Sequence, residues 1–480
     1  MAAMVTDRAR AVWRALAPFF FLGSALLLTL LFDRSFLVQS DEGYTVNAAW
    51  QLWSGRRMYD DFRLFVGPGS GYAILLVWKV LGRPSYLGAR FLAVALSFSS
   101  TVALYLSLRR AGVRGLNLTV TVVGWMLVGS LYVPMNHNSF SSYAALWFLL
   151  PFLRLAGGAA PPAGARSAAT GAAAGFAAGL VFIVLPTKGA LLAATAAAFL
   201  LVARRRALGR LPVLALLGAF ALTVSPLFLR WAPRTLLRQW FLIPLEGNYL
   251  GHTGAGSALL VAASILVIAM GALAFRWRDN QLQALAAVQA ALFASTLHNM
   301  ELAHFAINSF PLLLFASLAA RRRWLAARLP EVPAALTIGA LTAVLLAWSA
   351  LSPSGRQYLS TSTLDVDVLG HRPVAFTSPR IAAARAIYAG PFLPGLYYLL
   401  GKQDPFFVSE TVVCNADCQR RLVGELEAVR PELAFLDYEM TRDLGYDQNA
   451  PVDSYLRQHY ALCPGRGEMT VRALDPRSCP

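Results

Sequence analysis

The sequence of 480 residues contains little charge. Only 14% of its residues are charged, whereas 57% are hydrophobic and the mean hydropathy is +0.53. A soluble domain carries roughly 25% charged residues, and a water-soluble fold has no means of burying so much apolar surface. The composition excludes soluble, disordered and fibrous proteins and predicts a polytopic membrane protein.

Cysteine is absent from residues 1–351 and occurs four times in the remainder, at Cys414, Cys418, Cys463 and Cys479. An even number of cysteines in one polar segment is typical of disulfides in an oxidising compartment. Three pairings are possible, and free or metal-binding thiols are the alternative. Because Cys-x3-Cys followed by two distant cysteines is a poor zinc signature, we predict disulfides and leave their connectivity open.

Acidic residues are scarce in the apolar part of the chain. Residues 1–351 contain 29 basic and 10 acidic residues, whereas residues 352–480 contain 13 and 15. The basic excess therefore belongs to the membrane part, which argues against a nucleic-acid partner and for membrane lipids. We predict two domains: a membrane domain at 1–351 and a small α/β domain at 352–480, with a strand at 405–413 and an amphipathic helix at 419–429.

Eleven apolar stretches approach the roughly 20 residues that a membrane span requires. They cover residues 15–37, 86–106, 116–134, 140–156, 168–186, 188–203, 211–229, 257–275, 281–298, 304–320 and 333–351. With eleven spans, the basic clusters at 8–14, 109–110, 204–206 and 321–323 fall on one side, which the positive-inside rule assigns to the cytoplasm. The N-terminus is then cytoplasmic, and the cysteine-bearing domain is extracytoplasmic.

The predicted outer loop, residues 38–85, holds four of the ten acids of the membrane part: Asp41, Glu42, Asp60 and Asp61. Asp41 and Glu42 stand near the start of a predicted amphipathic helix on the membrane surface, where the helix dipole favours an ionised carboxylate. Helix capping in a solvated loop is the alternative. The apolar stretch 72–82 is too short to span and is predicted to be a helix at the outer interface.

Several cations face outward in this topology, against the charge rule. Lys188 lies in a Leu-Pro-Thr-Lys-Gly break between two spans, with no acid nearby in sequence. Arg230, Arg234 and Arg238 recur every four residues, which predicts a single helical face. A lipid phosphate would neutralise such groups; contact with bulk lipid headgroups is the alternative for the arginines.

Histidines cluster near the predicted outer ends of the spans. His137, His252, His298 and His304 all lie there, and Glu301 stands between the last two with i, i+3, i+6 spacing. This spacing is compatible with a metal site, but hydrogen-bonding groups that line a polar cavity are the favoured interpretation. We therefore predict no required cofactor and no metal site.

The loop also resembles a known family. An acidic pair after the first span, an amphipathic helix, a Tyr-Asp-Asp-Phe segment at 59–62, a Gly-Pro turn and a short interfacial helix resemble the GT-C glycosyltransferases, polytopic enzymes that use polyprenyl-phosphate sugars. The resemblance covers most of residues 1–351 and is strongest over 38–110, with further similarity at 186–189 and 301–311. It points to the bacterial branch similar to protein mannosyltransferases and the lipid A aminoarabinose transferase.

This resemblance implies a bacterial inner-membrane enzyme. Asp41 corresponds to the catalytic carboxylate, with Glu42 beside it, and the sugar passes with inversion from polyprenyl phosphate to a hydroxyl of a glycan, lipid or protein. The remaining candidate residues, all expected to bind substrate, are Asp60, Asp61, His137, Lys188, Arg234, Arg238, Glu301 and His304. The chain departs from relatives at 66–68, where Val-Gly-Pro replaces Lys-Pro-Pro, and at His298 and His304, where relatives carry Arg or Tyr.

A transporter or flippase for a lipid-linked saccharide is the alternative function. Transporters place ionisable groups near the middle of spans and are often built from internal repeats, and neither is visible in the sequence. A non-catalytic scaffold is a third possibility, but it would not need the charges on the outer face.

Overall fold

The structure, a computed structural model, describes most of the chain in separate ranges. These are Leu16 and residues 41–131, 135–157, 164–242, 254–297, 302–323, 378–408, 410–438, 441, 446–464 and 470–480. The predicted spans at 15–37 and 333–351 lie outside the described residues, Leu16 excepted.

The described membrane part is helical. Its helices are α1 (Asp41–Trp53), α2 (Gly69–Leu81), α3 (Tyr86–Arg110), α4 (Gly115–Leu131), α5 (His137–Gly157), α6 (Ala165–Val184), α7 (Pro186–Ala203), α8 (Arg205–Leu208), α9 (Leu211–Arg230), α10 (Pro233–Leu237) followed by a π-helical turn (Arg238–Leu242), α11 (Gly254–Trp277), α12 (Asn280–Ala294), α13 (Leu302–Ile307) and α14 (Phe310–Arg323). Within the described ranges, six helices are long and apolar enough to cross a membrane: α3, α5, α6, α7, α9 and α11. The chain is thus a multi-pass membrane protein, and the count of eleven spans stays a prediction.

One predicted span is broken. The stretch 304–320 forms two helices, α13 and α14, separated at Asn308 and Ser309. Pro311 explains the break, because proline has no backbone N–H to bond to the preceding turn and its ring clashes with that turn. The predicted interfacial helix at 72–82 is α2, which ends at Gly82 in a left-handed conformation (φ 71°).

Two of the basic clusters lie on the same side of the bundle, as the topology requires. A guanidinium nitrogen of Arg321, at the end of α14, donates to the carbonyl of Ala111 just after α3. The clusters at 109–110 and 321–323 are therefore neighbours.

Helices α6 and α9 pack at backbone contact through a stripe of small residues. A Cβ atom on Gly171 would lie 2.2 Å from the carbonyl oxygen of Pro212, and one on Gly175 would lie 2.0 Å from that of Leu216. Small residues at every fourth position let membrane helices approach closely, and van der Waals packing then holds them together.

The turn between α6 and α7 is equally tight. A Cβ atom on Gly189 would lie 2.2 Å from the backbone nitrogen of Phe182, so only glycine fits at this point of the hairpin. The first loop docks on the same end, since the backbone N–H of Gly67 donates to the carbonyl of Val184 at 3.1 Å. The loop is thereby held beside the segment that carries Lys188.

The C-terminal segment, residues 378–480, mixes helices and strands. Its elements are α15 (Pro379–Ala383), β1 (Ile387–Gly390), α16 (Gly395–Leu400), a 3-10 turn (Thr411–Val413), α17 (Ala416–Val429), β2 (Leu433–Leu436), α18 (Pro451–His459), β3 (Ala461–Leu462), β4 (Thr470–Ala473) and a 3-10 turn (Pro476–Ser478). The sheet order is β1-β2-β4-β3, with β1 and β2 parallel and the other two pairs antiparallel. Leu433, the first residue of β2, pairs with Ile387 of β1 on one side and with Ala473 of β4 on the other.

The predicted helix at 419–429 lies within α17, but the predicted strand at 405–413 is wrong. The backbone N–H groups of Phe406 and Phe407 donate to the carboxylates of Asp404 and Glu425, not to a neighbouring strand. The four cysteines form two disulfides, Cys414–Cys418 and Cys463–Cys479.

We expect Gly175→Ala to destabilise the protein by about 1–3 kcal/mol, because the new methyl group would push α6 off the backbone of α9. The matched control is Gly218→Ala on α9, where a Cβ atom would meet nothing within 4 Å. The thermal unfolding midpoint of the purified protein should fall for the first variant and stay constant or rise for the second. Equal midpoints for both would refute the close packing of these helices.

Candidate functional site

Helix α1 is buried on nearly all sides. Nine of its 13 residues are buried. On one side it packs against membrane helices, and on the other the C-terminal segment covers it: the indole N–H of Trp50 donates to the carbonyl of Lys402 at 2.7 Å, and the amide groups of Asn47 and Gln51 donate to Asp404 at 3.3 and 3.4 Å. The prediction of a helix at this position is correct. The sequence did not predict its burial under the C-terminal segment, and its position at the membrane surface stays a prediction.

Glu42 forms a fully buried ion pair. Its carboxylate, fully buried, lies 2.5 Å from Nε of Arg90 on α3 and accepts a hydrogen bond from the hydroxyl of Tyr86 at 2.6 Å. This side chain therefore anchors α1 to α3. The catalytic role expected of Glu42 from the sequence stays a prediction.

Asp41 points in a different direction. Successive residues of an α-helix are rotated by about 100°, so a neighbour of the anchored Glu42 faces another part of the protein. Asp41 is half-buried, and burial raises the pKa of its carboxyl above the ordinary value, while the nearby His304 acts in the opposite direction. The effect of burial on the pKa of Asp41 is thus larger than the stabilisation of the ionised carboxylate by the helix dipole, which the sequence suggested.

His304 connects to α5 through Asn138. The amide nitrogen of Asn138 lies 3.0 Å from Nε2 of His304 and 3.1 Å from Nε2 of His137. Both partners are aromatic nitrogens, and the two N–H groups of one carboxamide suffice for both contacts. Two of the predicted histidines are thereby brought together by a residue that the prediction did not include.

Lys188 lies on the other side of Asn138. Its ammonium group is fully buried and donates to the hydroxyls of Ser141 and Ser142 at 2.8 and 3.0 Å and to the carbonyl of Asn138 at 3.4 Å. No carboxylate lies within 4.0 Å of it among the residues that the structure describes. Lys188 is therefore a buried amine that hydroxyls solvate, and no carboxylate among the described residues pairs with it.

We call these side chains the polar cluster. Its members are Asp41, His137, Asn138, Ser141, Ser142, Lys188, His304 and Asn308. Asn308 closes it, accepting from Ser142 at 3.3 Å and donating to the carbonyl of His304 at 2.8 Å. Two sequence signals mark the members that the prediction did not include. They are the polar run at the start of α5, an otherwise apolar span, and the Asn-Ser pair before Pro311.

Asp60 and Asp61 lie elsewhere. Both pair with Arg57 at the surface of the loop, where Asp61 accepts from the backbone N–H of Arg57 at 2.7 Å and Asp60 lies 3.9 Å from its Nε. These contacts with Arg57 hold the pKa of Asp61 below its usual range. No described contact joins either carboxylate to the polar cluster, and their substrate-binding role stays a prediction.

Arg230, Arg234 and Arg238 do not share one helical face, so that interpretation is wrong. Helix α9 ends at Arg230, the backbone is extended at Trp231, and α10 starts again at Pro233. Arg234 and Arg238 are exposed, and no described contact brings them to the polar cluster. Aromatic residues connect the π-helical turn after α10 to the first loop: the indole N–H of Trp240 donates to the Tyr59 hydroxyl at 2.7 Å.

His252, His298 and Glu301 lie outside the described residues. Within the part of the chain that is described, no group of three or more His, Cys, Asp or Glu side chains has the arrangement of a metal site.

Two crystal structures of ArnT from Cupriavidus metallidurans resemble this chain over nearly its whole length. The structure with undecaprenyl phosphate bound has a TM-score of 0.59 and 15% sequence identity, covering 96% of this chain and 98% of ArnT. The apo structure has a TM-score of 0.58 and 15% identity, covering 98% and 99%. The chain has the ArnT fold. The resemblance seen in the sequence is thereby confirmed at the level of fold.

A weaker likeness links this chain to the archaeal oligosaccharyltransferase AglB from Archaeoglobus fulgidus, with a TM-score of 0.48 and 13% identity over 98% of this chain and 75% of AglB. No protein-family model and no curated protein matches the sequence.

Proposed function

We propose that this protein is a membrane glycosyltransferase that moves a sugar from a polyprenyl-phosphate donor to an acceptor hydroxyl, with inversion at the anomeric carbon. The observation that carries the proposal is the polar cluster: the charge of His304 acts on the Asp41 carboxyl, Asn138 contacts both His304 and the buried Lys188, and no described carboxylate pairs with Lys188. It occurs in a chain with the fold of ArnT, which has been crystallised with undecaprenyl phosphate. We place the reaction on the extracytoplasmic face of a bacterial inner membrane, with a glycan, lipid or protein as acceptor.

Asp41 acts as the general base in this proposal. The acceptor hydroxyl is a weak nucleophile, and a positioned carboxylate that takes its proton accelerates attack by about 10²–10⁴-fold. Because burial raises the pKa of Asp41, its carboxylate is a stronger base than an ordinary aspartate. One base suffices for single displacement, in which the oxygen attacks the anomeric carbon as the bond to the lipid phosphate breaks.

Lys188 acts on the leaving group. The departing lipid phosphate gains negative charge, and a fixed cation at that point stabilises the transition state. The contact of Lys188 with the Asn138 carbonyl, at 3.4 Å, is the longest of its three, so this N–H is the one that a phosphate oxygen would capture. The phosphate would then supply, beside Lys188, the negative charge that no described carboxylate provides.

Replacement of Asp41 tests the base directly. We expect Asp41→Asn to lower kcat for sugar transfer by about 10²–10⁴-fold, with little change in donor binding, because the amide cannot accept the proton. Transfer from a polyprenyl-phosphate sugar by purified enzyme is the measurement. Asp417→Asn, an exposed residue of α17, is the control and should behave as wild type. Undiminished transfer by Asp41→Asn would eliminate Asp41 as the base.

His304 sets the pH dependence. Since the charge of His304 opposes the burial effect on Asp41, His304→Ala removes an influence that lowers the pKa of Asp41, and that pKa rises further. A base works only when deprotonated, so the acid limb of kcat/KM should move to higher pH. Exposed His459→Ala is the matched control, with an unchanged limb. A shift of the His304→Ala limb to lower pH would contradict the proposed pairing.

Removal of the Lys188 charge should weaken donor use. Lys188→Met keeps the side-chain length but not the charge, so we expect the donor KM to rise at least about tenfold and kcat to fall, with partial recovery in Lys188→Arg. Lys79→Met, an exposed lysine over the ring of Trp53, is the control. Donor kinetics at acceptor saturation are the readout, with thermal midpoints to verify folding. Unchanged donor KM and kcat would exclude Lys188 from phosphate stabilisation.

One observation favours the transporter alternative: a buried lysine beside a helix break, a combination found at transporter binding sites. Proteoliposomes distinguish the two functions, since movement of a lipid-linked sugar across the bilayer without sugar transfer would support transport and remove the enzyme proposal.

A further inference from the structure

A groove of about 860 Å³ lies between α3, α5 and α6. Its lining extends over residues 96–110 of α3, 140–154 of α5 and 166–180 of α6. Each stretch corresponds to about 21 Å of helix at a rise of 1.5 Å per residue. That length exceeds the depth of one leaflet, which is half of the roughly 30 Å hydrocarbon core.

The walls of the groove are apolar and open to the outside of the bundle. Leu96, Ala144 and Leu150 belong to the lining, and Phe176 and Leu180 are 53% and 40% exposed. In a membrane-spanning bundle, exposed apolar side chains at this depth face lipid tails. The groove therefore suits an extended hydrocarbon chain.

One end of the groove is basic. Arg110, Arg154 and Arg166 line it, one from each helix. All three are exposed, and no ion pair within the described ranges involves them. Phe140 and Tyr143, which flank the serines that hold Lys188, line the opposite end. The basic end is thus about 21 Å along α5 from the polar cluster.

Arg166 is placed where a cation is unfavourable for its own helix. It occupies the first turn of α6, which contains no acidic residue and whose N-cap, Gly164, provides no side-chain hydrogen bond. The partial positive charge of a helix N-terminus repels a cation there and attracts an anion. A bound anion would stabilise the guanidinium and this helix end together.

We propose that this groove binds an anionic glycerophospholipid, with its phosphate on Arg110, Arg154 and Arg166 and an acyl chain along the apolar walls. The site lies at the membrane face opposite the polar cluster, so its phosphate is not the one that leaves in the proposed reaction. A zwitterionic headgroup would bind less tightly, because its own cation competes with the three arginines for the lipid phosphate.

The test is lipid retention by the purified full-length chain, measured by native mass spectrometry with phosphatidylglycerol and with phosphatidylcholine of the same acyl composition. Wild type should retain one phosphatidylglycerol in preference to phosphatidylcholine. The combined variant Arg110→Gln, Arg154→Gln, Arg166→Gln should lower phosphatidylglycerol affinity at least about tenfold. The matched control carries Arg210→Gln, Arg276→Gln and Arg278→Gln, three exposed arginines outside the groove lining, and should retain lipid as wild type.

A second variant tests the apolar part without changing charge. Ala173 lines the groove and is exposed, so Ala173→Trp fills the groove without a clash in the core and should also lower retention. Equal losses in the groove and control triples would indicate nonspecific headgroup contact and overturn the proposal. Displacement of phosphatidylglycerol by equimolar undecaprenyl phosphate would assign the groove to a polyprenyl lipid and overturn it as well.

Discussion

The buried ion pair between Glu42 and Arg90 is the interaction on which the site depends. An unpaired charge in this environment would cost several kcal/mol, so α1 is stable only where the Glu42 carboxylate meets the Arg90 guanidinium and the Tyr86 hydroxyl. Because the neighbouring residue of a helix points about 100° away, the same anchor leaves Asp41 on another side of α1, where the charge of His304 acts on its carboxyl. The acid beside the proposed base thus determines where the base points.

The second constraint is close backbone packing around Lys188. Glycine at position 189 lets α7 fold back tightly on α6, and Gly67 lets the first loop touch the end of α6, where a Cβ atom would lie 2.1 Å from the carbonyl oxygen of Ile183. Helix α5 then presents Ser141 and Ser142 to the ammonium group. Lys188 is therefore solvated by hydroxyls beside the docked first loop, and no carboxylate among the described residues pairs with it.

Local sequence signals predicted the helices well, since hydropathy and length decide whether a stretch can span a bilayer. They also located Asp41, Lys188 and His304 in regions that the structure joins. They failed where proline interrupts a continuous apolar or basic pattern: Pro233 separates the arginines that were expected on one face, and Pro311 divides one expected span.

The environment of each side chain could not be predicted in the same way, because it depends on partners far away in sequence. Asn138 contacts His304 from 166 positions away, and Trp50 contacts Lys402 from 352 positions away. Periodicity indicated that α1 has an apolar stripe, which is equally compatible with a membrane surface. The cover that the C-terminal segment provides is visible only in the structure.

That cover has a chemical consequence for the proposed reaction. The first loop is tied to the C-terminal segment by Arg63, which is buried against Glu410 at 4.0 Å and against the sulfur atoms of Cys414 and Cys418. Burial raises the pKa of Glu410 to about 8. The carboxyl of Glu410 is therefore largely protonated at neutral pH, and its contact with Arg63 is then not a full ion pair. Apolar packing, such as the stacking of Trp78 on Tyr398, and the hydrogen bonds to Asp404 accordingly carry much of the attachment. A helix fixed on both sides has little freedom to reorient, and a base fixed before the substrate arrives needs little reorganisation during reaction, which is how preorganised groups lower an activation barrier.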